Sequence, residues 1–247
     1  MAGFLLILLL LLPLTYLYFR HEARVWSLNQ AEQIASSLKK QDYSVTIPEG
    51  WRREQIAKVL DQAGVCSYAD FMSASQGMEG YLFPDTYRFF HNTPASQVVA
   101  TMTANFAKRT AGLNPTANQL ILASIVEREA KYETERAPIA GVYTNRLKVG
   151  MVLEADPTVQ YARDNQEASE NLSYWAPITQ ADYHTIQSPY NTYLHTGLPP
   201  GPIDNPGLPS IIAAINPEKN SYYYFFQRNG NIYLSKTLAE HLSKLNQ

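Results

Sequence analysis

The chain has 247 residues, enough for one ordinary domain with a smaller one beside it. Its charge is close to balance (net −2), which excludes the basic footprint of a nucleic-acid partner. Cys66 is the single cysteine and the five histidines lack the i, i+4 spacing of a zinc helix, so neither a metal nor any other cofactor is expected. Tyrosine is abundant, at 17 against 9 Phe and 3 Trp. Its apolar ring and hydroxyl suit a carbohydrate cleft, and equally an ordinary core.

Ala2 to Phe19 is almost wholly apolar, interrupted by Pro13 and Thr15. A run of about 18 residues sits at the lower limit for crossing a bilayer. No basic n-region precedes it and no small-x-small site follows, so it reads as an anchor over residues 1–20 rather than a cleaved leader. Tyr16, Tyr18 and Phe19 fit an interfacial aromatic belt. Arg20 and Arg24 alone would place the rest of the chain in the cytoplasm. Residues 21–42 are polar, helix-compatible and read as a stalk.

Tyr43 to Ile47 alternates and is closed by Pro48-Glu49-Gly50, a short strand ending in a turn. Helices are predicted over Arg52–Gln62 and Tyr68–Ser75, then an extended aromatic segment over Glu79–Phe89. The result is a small βααβ unit spanning residues 43–92. A larger α+β domain, 93–247, begins with helices at Pro94–Thr110, Pro115–Ala130 and Arg136–Leu147. The stretch from Gly150 to Gly207 is predicted as loop-rich, with Asp156 a candidate helix cap, and rigid where Pro and Gly crowd between Gly197 and Gly207. A short helix at Leu208–Ala214, a hairpin pairing Tyr222–Phe226 with Asn231–Leu234, and a helix at Thr237–Leu245 complete the chain.

Within the second of those helices, Leu120 to Val126 is apolar on nearly every side and is followed by Glu127. Burial and the negative end of the helix dipole both disfavour the anion there, and a carboxyl that stays protonated suits general-acid chemistry. The ordinary alternative is an ion pair with Arg128, Lys131 or Arg146. Glu79 and Glu129 are rival acids. Glu129 lies about 200° around the helix from Glu127 and is expected to face solvent.

Several segments occur in a telling order: Glu79-Gly-Tyr-Leu-Phe-Pro-Asp-Thr-Tyr87, Ala123-Ser-Ile-Val-Glu-Arg-Glu129, Val142-Tyr-Thr-Asn-Arg-Leu147 and Gly150-Met151. Asp156-Pro-Thr-Val159, Ser188-Pro-Tyr-Asn-Thr-Tyr193, Gly197-Leu-Pro-Pro-Gly-Pro-Ile203 and Asn205-Pro-Gly207 follow. From about Val45 to its C-terminus the chain resembles the YceG-like (MltG-type) endolytic murein transglycosylases of bacteria. The resemblance implies an α+β fold with one N-terminal membrane span, a LysM-like subdomain and a catalytic domain outside the cytoplasm. It implies an inner (cytoplasmic) membrane location, peptidoglycan glycan strands as substrate, peptidoglycan synthases as partners, and Glu127 as the catalytic glutamate. Asn145, Asp156, Ser188, Tyr190 and Asn191 become the candidates for holding the sugar. Two departures stand out: a short region before Pro48, expected to reduce glycan-binding surface, and Glu154-Ala155 where the family carries Gln then Ser or Thr.

One carboxylic acid suffices for this reaction, because the substrate's own C6 hydroxyl replaces the second group a hydrolase needs. The alternatives are a muramidase-type hydrolase, with Glu154 or Asp156 as second carboxylate, and a glycan-binding scaffold without turnover.

Overall fold

The computed structural model describes residues 2–40, 42–166 and 173–247, leaving aside the side chains of 2–15, 35 and 38–40. Helix α1 (Ala2–Lys40) runs through both the expected anchor and the expected stalk as one element. Among the described residues no helix is long and apolar enough to cross a membrane. Most of the side chains of the apolar run lie outside that description.

Strand β1 (Asp42–Thr46), helices α2 (Arg53–Gln62) and α3 (Tyr68–Ala74), and strand β2 (Thr86–Phe90) realise the βααβ order. β1 and β2 pair antiparallel, Val45 opposite Tyr87 and Tyr43 opposite Phe89. Val45, Tyr87 and Phe89 point into a core with Ile56, Leu60 and Phe71, as the period-2 pattern requires. That core continues into α4 (Ala95–Arg109) through Val98, Val99 and Met102, so the packing boundary falls after α4 rather than at residue 92.

A second core is built around α5 (Ala117–Glu129), which is buried on nearly every side from Leu120 to Val126. Thr116 caps its start by accepting from the Gln119 N–H, and the Gln119 side chain returns a bond to Thr116 N–H at 2.9 Å. Helix α6 (Glu133–Lys148) and helix α9 (Leu208–Ile215) pack against it. The Asn229-Gly230 turn has positive φ at both residues (52° and 76°) and joins strands β3 (Tyr224–Arg228) and β4 (Asn231–Ser235). That is the conformation that favours such a pair in a two-residue hairpin. Helix α10 (Leu238–Leu245) lies on the hairpin.

The stretch 150–207 is not all loop. Helix α7 (Asp156–Gln166) begins at Asp156-Pro157, a start that proline favours, and α8 (Asp182–Thr185) adds one turn. α7 reads as polar because its Arg163 and Asp164 are buried and satisfy each other at 2.9 Å.

Gly141 sits where α6 meets the 216–223 loop. A methyl group there would overlap the Glu218 carbonyl oxygen and lie 2.6 Å from Asn220 Nδ2. Gly141→Ala is expected to destabilise the fold by about 1–3 kcal/mol through overpacking, read as a lowered denaturant midpoint at unchanged slope.

Candidate active site

Glu127 and Glu129 leave the C-terminal turn of α5 on opposite faces and enter different surroundings. Glu127 has a side chain only 7% exposed and is already engaged. Arg136 Nη2 donates to its Oε1 at 3.1 Å, and the Gly207 backbone N–H donates to its Oε2 at 3.0 Å. Arg136 also donates to Ser210 Oγ at 2.8 Å. The Gly50 turn, at φ +74°, closes over the Glu127 side chain, with Glu49 beside Gly207. An ion pair is therefore present at Glu127, formed with Arg136 rather than with Arg128, Lys131 or Arg146. Both Glu127 carboxylate oxygens are thus already taken up by donors of the protein itself.

The same junction holds three further carboxyl groups. Burial pushes Glu79 up to about 8, although the Arg53 N–H and the Asn205 amide donate to it at 3.1 and 2.7 Å. Asp204 is fully buried, has neither oxygen paired among the described residues, and is held far above the usual carboxylate range by burial first and by Glu127 next. Glu49 is raised by burial and by Glu127. Arg52, itself buried, reaches from this junction to Asp164 at 3.6 Å and to Asn165, and lies 4.2 Å from the Tyr161 ring centroid. These contacts join the small βααβ unit to the larger domain.

Glu129 faces an open cleft. The expectation that it faces bulk solvent is corrected, because α6, β3 and α10 stand around the end of α5. The cleft has a volume of about 390 Å³ and is lined by Glu129, Tyr143, Arg146, Glu154, Asp156, Tyr193, Tyr224, Phe226 and His241, among others. Glu127 lines neither this cleft nor the neighbouring cavity of about 420 Å³ that Arg136 borders. Burial pushes Glu129 up to about 7, with Asp156 adding to the rise and Tyr143 and Arg146 opposing it. Tyr143 Oη donates to Glu129 Oε1 at 2.8 Å, and Oε2 has no partner among the described residues. The α5–α6 corner is pinned by Glu135, whose Oε2 accepts from the Lys131 and Tyr132 backbone N–H groups and from the Gln227 amide. Gln227 also donates to the Glu129 carbonyl at 2.9 Å, tying the hairpin to the helix end.

Of the five residues expected to hold the sugar, Asp156 alone lines this cleft. Tyr193 Oη donates to its Oδ1 at 2.6 Å. The other four point elsewhere. Asn145 donates to the Asn220 and Tyr222 carbonyls and fastens α6 to the 216–223 loop that follows α9. Asn191 is fully buried and bonds the Tyr183 and Ile186 carbonyls. Ser188 accepts from the Tyr190 N–H within its own turn, and Tyr190 packs 4.8 Å from Tyr161 on the junction side. Glu154, at φ +49°, lines the cleft but is paired with Arg146 at 3.1 Å. It stands beside Glu129, not Glu127.

A family model described as "YceG-like family" matches residues 24–247. The chain belongs to the YceG-like family. Among its curated relatives, an endolytic murein transglycosylase of Bacillus subtilis (strain 168) is 38% identical over 179 residues, covering 66% of this chain and 46% of the relative. An endolytic murein transglycosylase of Streptococcus pneumoniae serotype 2 (strain D39) is 30% identical over 254 residues, covering 82% of this chain and 45% of the relative. The chain thus spans less than half the length of the curated relatives it matches. The crystal structure of a putative yceG-like protein from Listeria monocytogenes superposes with a TM-score of 0.71 at 31% identity, covering 86% of this chain and 80% of that one. The mixed α+β architecture is therefore that of this YceG-like relative.

Proposed function

We propose that this chain is an endolytic lytic transglycosylase that cuts the MurNAc-β-1,4-GlcNAc bond of peptidoglycan strands, with Glu129 as its acid–base group in place of Glu127. The observation that carries this reading is the position of Glu129: a carboxyl pushed up to about 7 at an open cleft, with one oxygen held by Tyr143 and the other unpartnered. The names of the two relatives supply the reaction class.

In the first step protonated Glu129 gives its proton to the glycosidic O4 of the leaving GlcNAc as the C1–O4 bond breaks and positive charge develops on the muramoyl ring. The C6 hydroxyl of that same ring then bonds to C1 and returns its proton to Glu129. The product is a 1,6-anhydromuramoyl end, no water is consumed, and the acid is regenerated. Intramolecular delivery of the nucleophile supplies what a second carboxylate would otherwise provide. Asp156, oriented by Tyr193, is placed to stabilise the developing charge. A muramidase-type hydrolysis is the second reading, because Asp156 shares the cleft with Glu129 as a second carboxylate would.

Around this centre the apolar run Ala2–Phe19 serves as an anchor in the cytoplasmic membrane, with the cleft on the outer side. The βααβ unit serves as a LysM-like contact to the strand, and peptidoglycan synthases supply the nascent strands whose elongation the cut ends. Support for the anchor is the composition of the run alone.

Digestion of uncrosslinked glycan strands, with products read by mass spectrometry, tests the reaction. Anhydro ends are expected. Hydrated reducing ends transfer the assignment to the hydrolase, and strand binding without any cut supports a scaffold. The acid must be protonated to act, so cleavage is expected to be full below pH 7 and to fall on an alkaline limb near 7. A chemistry-limited rate that stays flat from pH 6 to 9 rules Glu129 out as the acid.

A further inference from the structure

His241 is unused in the mechanism above, yet it forms part of the same cleft. It sits on α10, and its ring packs 5.5 Å from Tyr224 and 5.6 Å from Phe226, both on β3. The Arg146 guanidinium covers the Tyr224 ring at 5.2 Å. His241 Nδ1 is buried and has no hydrogen-bond partner among the described residues. The residue as a whole is half-buried, so the ring edge away from Nδ1, which bears Nε2, is the one open to the cleft.

Which nitrogen carries the proton follows from that burial. A neutral imidazole has one N–H and one lone pair. An unpaired N–H is the rarer group to bury, an unpaired acceptor less so, which puts the hydrogen on Nε2. Burial, Arg146 and Lys244 all push the imidazole down from its ordinary value, so the neutral form prevails at neutral pH. This part of the cleft wall thus presents an outward N–H donor set among aromatic faces. An acetamido group matches it: a carbonyl oxygen to accept the bond and a methyl to lie on a ring.

We propose that His241 is a substrate-binding and specificity residue whose Nε2–H donates to the acetamido carbonyl of an N-acetylated sugar in the cleft, favouring N-acetylated over de-N-acetylated strands. This rests on the reading of the cleft as the glycan site, not on Glu129 being the acid.

The test is equilibrium binding of uncrosslinked glycan strands to the Glu129→Gln chain, so that turnover plays no part. Fully N-acetylated strands and chemically de-N-acetylated strands are compared in parallel. His241→Phe keeps the ring packing and removes the donor. It is expected to bind N-acetylated strands about 3–10-fold more weakly, the worth of one neutral hydrogen bond. Its binding of de-N-acetylated strands is expected to match that of the parent. His241→Gln, which carries an N–H near the Nε2 position, is expected to restore binding to within about 2-fold, whereas His241→Asn, with its N–H near Nδ1, is not. The proposal is overturned if the parent binds both strand types alike, if His241→Phe leaves the preference intact, or if it weakens both equally. Should His241→Phe fail to fold, the Gln and Asn pair decides, and equal binding by the two overturns it. Loss of cleavage by Glu129→Gln is a separate readout, so failure of the acid assignment and failure of this one are told apart.

Discussion

Glu129→Gln is expected to lower the rate of strand cleavage by about 10²–10⁴-fold, the usual worth of a positioned general acid. Gln keeps the volume, and its amide oxygen still accepts from Tyr143, so binding of strands and the unfolding midpoint should change little. Glu127→Gln is the matched control, expected to retain cleavage within about tenfold while losing stability, since a neutral amide pairs less well with Arg136. The two variants lie two residues apart on the same helix and carry opposite expected phenotypes. Inactivity of Glu127→Gln in a folded protein, beside an active Glu129→Gln, would return the acid role to Glu127. The comparison is made on single-turnover rates and thermal midpoints together, so that a loss of fold is not mistaken for a loss of chemistry.

The second large effect is at Arg136. It reaches Glu127 at 3.1 Å and Ser210 at 2.8 Å, and stands 4.0 Å from Glu49. Arg136→Ala leaves a nearly buried carboxylate with one backbone N–H for company, and is expected to cost about 3–5 kcal/mol in denaturant unfolding. A double-mutant cycle isolates the pair: Glu127→Gln with Arg136→Ala should cost less than the sum of the single changes, because the second removes a charge the first has stranded. Simple additivity would mean that the 3.1 Å contact contributes nothing to stability.

Much of the scaffold is legible in the sequence for local reasons. The apolar surround of α5, the Thr116 cap, the prolines that open helices and the Asn229-Gly230 turn each act within a few residues. Only the start of α7, at Asp156-Pro157, is legible, because its buried polar residues satisfy one another and so remove the apolar stripe that marks most helices. The choice between Glu127 and Glu129 fails for a similar reason. Helix geometry puts both at the same buried end. What separates them is non-local: Gly207 and Arg136 close on one, while Tyr143, Asp156 and the hairpin leave the other at a cleft. Asn145 and Asn191 have the chemistry of sugar ligands, but Asn145 spends its amide on a carbonyl 75 residues along the chain, and Asn191 spends its own on the Tyr183 and Ile186 carbonyls just before it.

The cleft draws one wall from Glu129 to Asp156 and the other from Tyr193 to His241. Chains emerge from the ribosome N-terminus first, so the first wall exists well before the second. Until β3 and α10 have been made, Gln227 cannot tie down the end of α5 and His241 and Phe226 are not yet there. The cleft is thus completed only once residues 224–241 have been made, and a partial chain that stops short of them lacks one of its two walls.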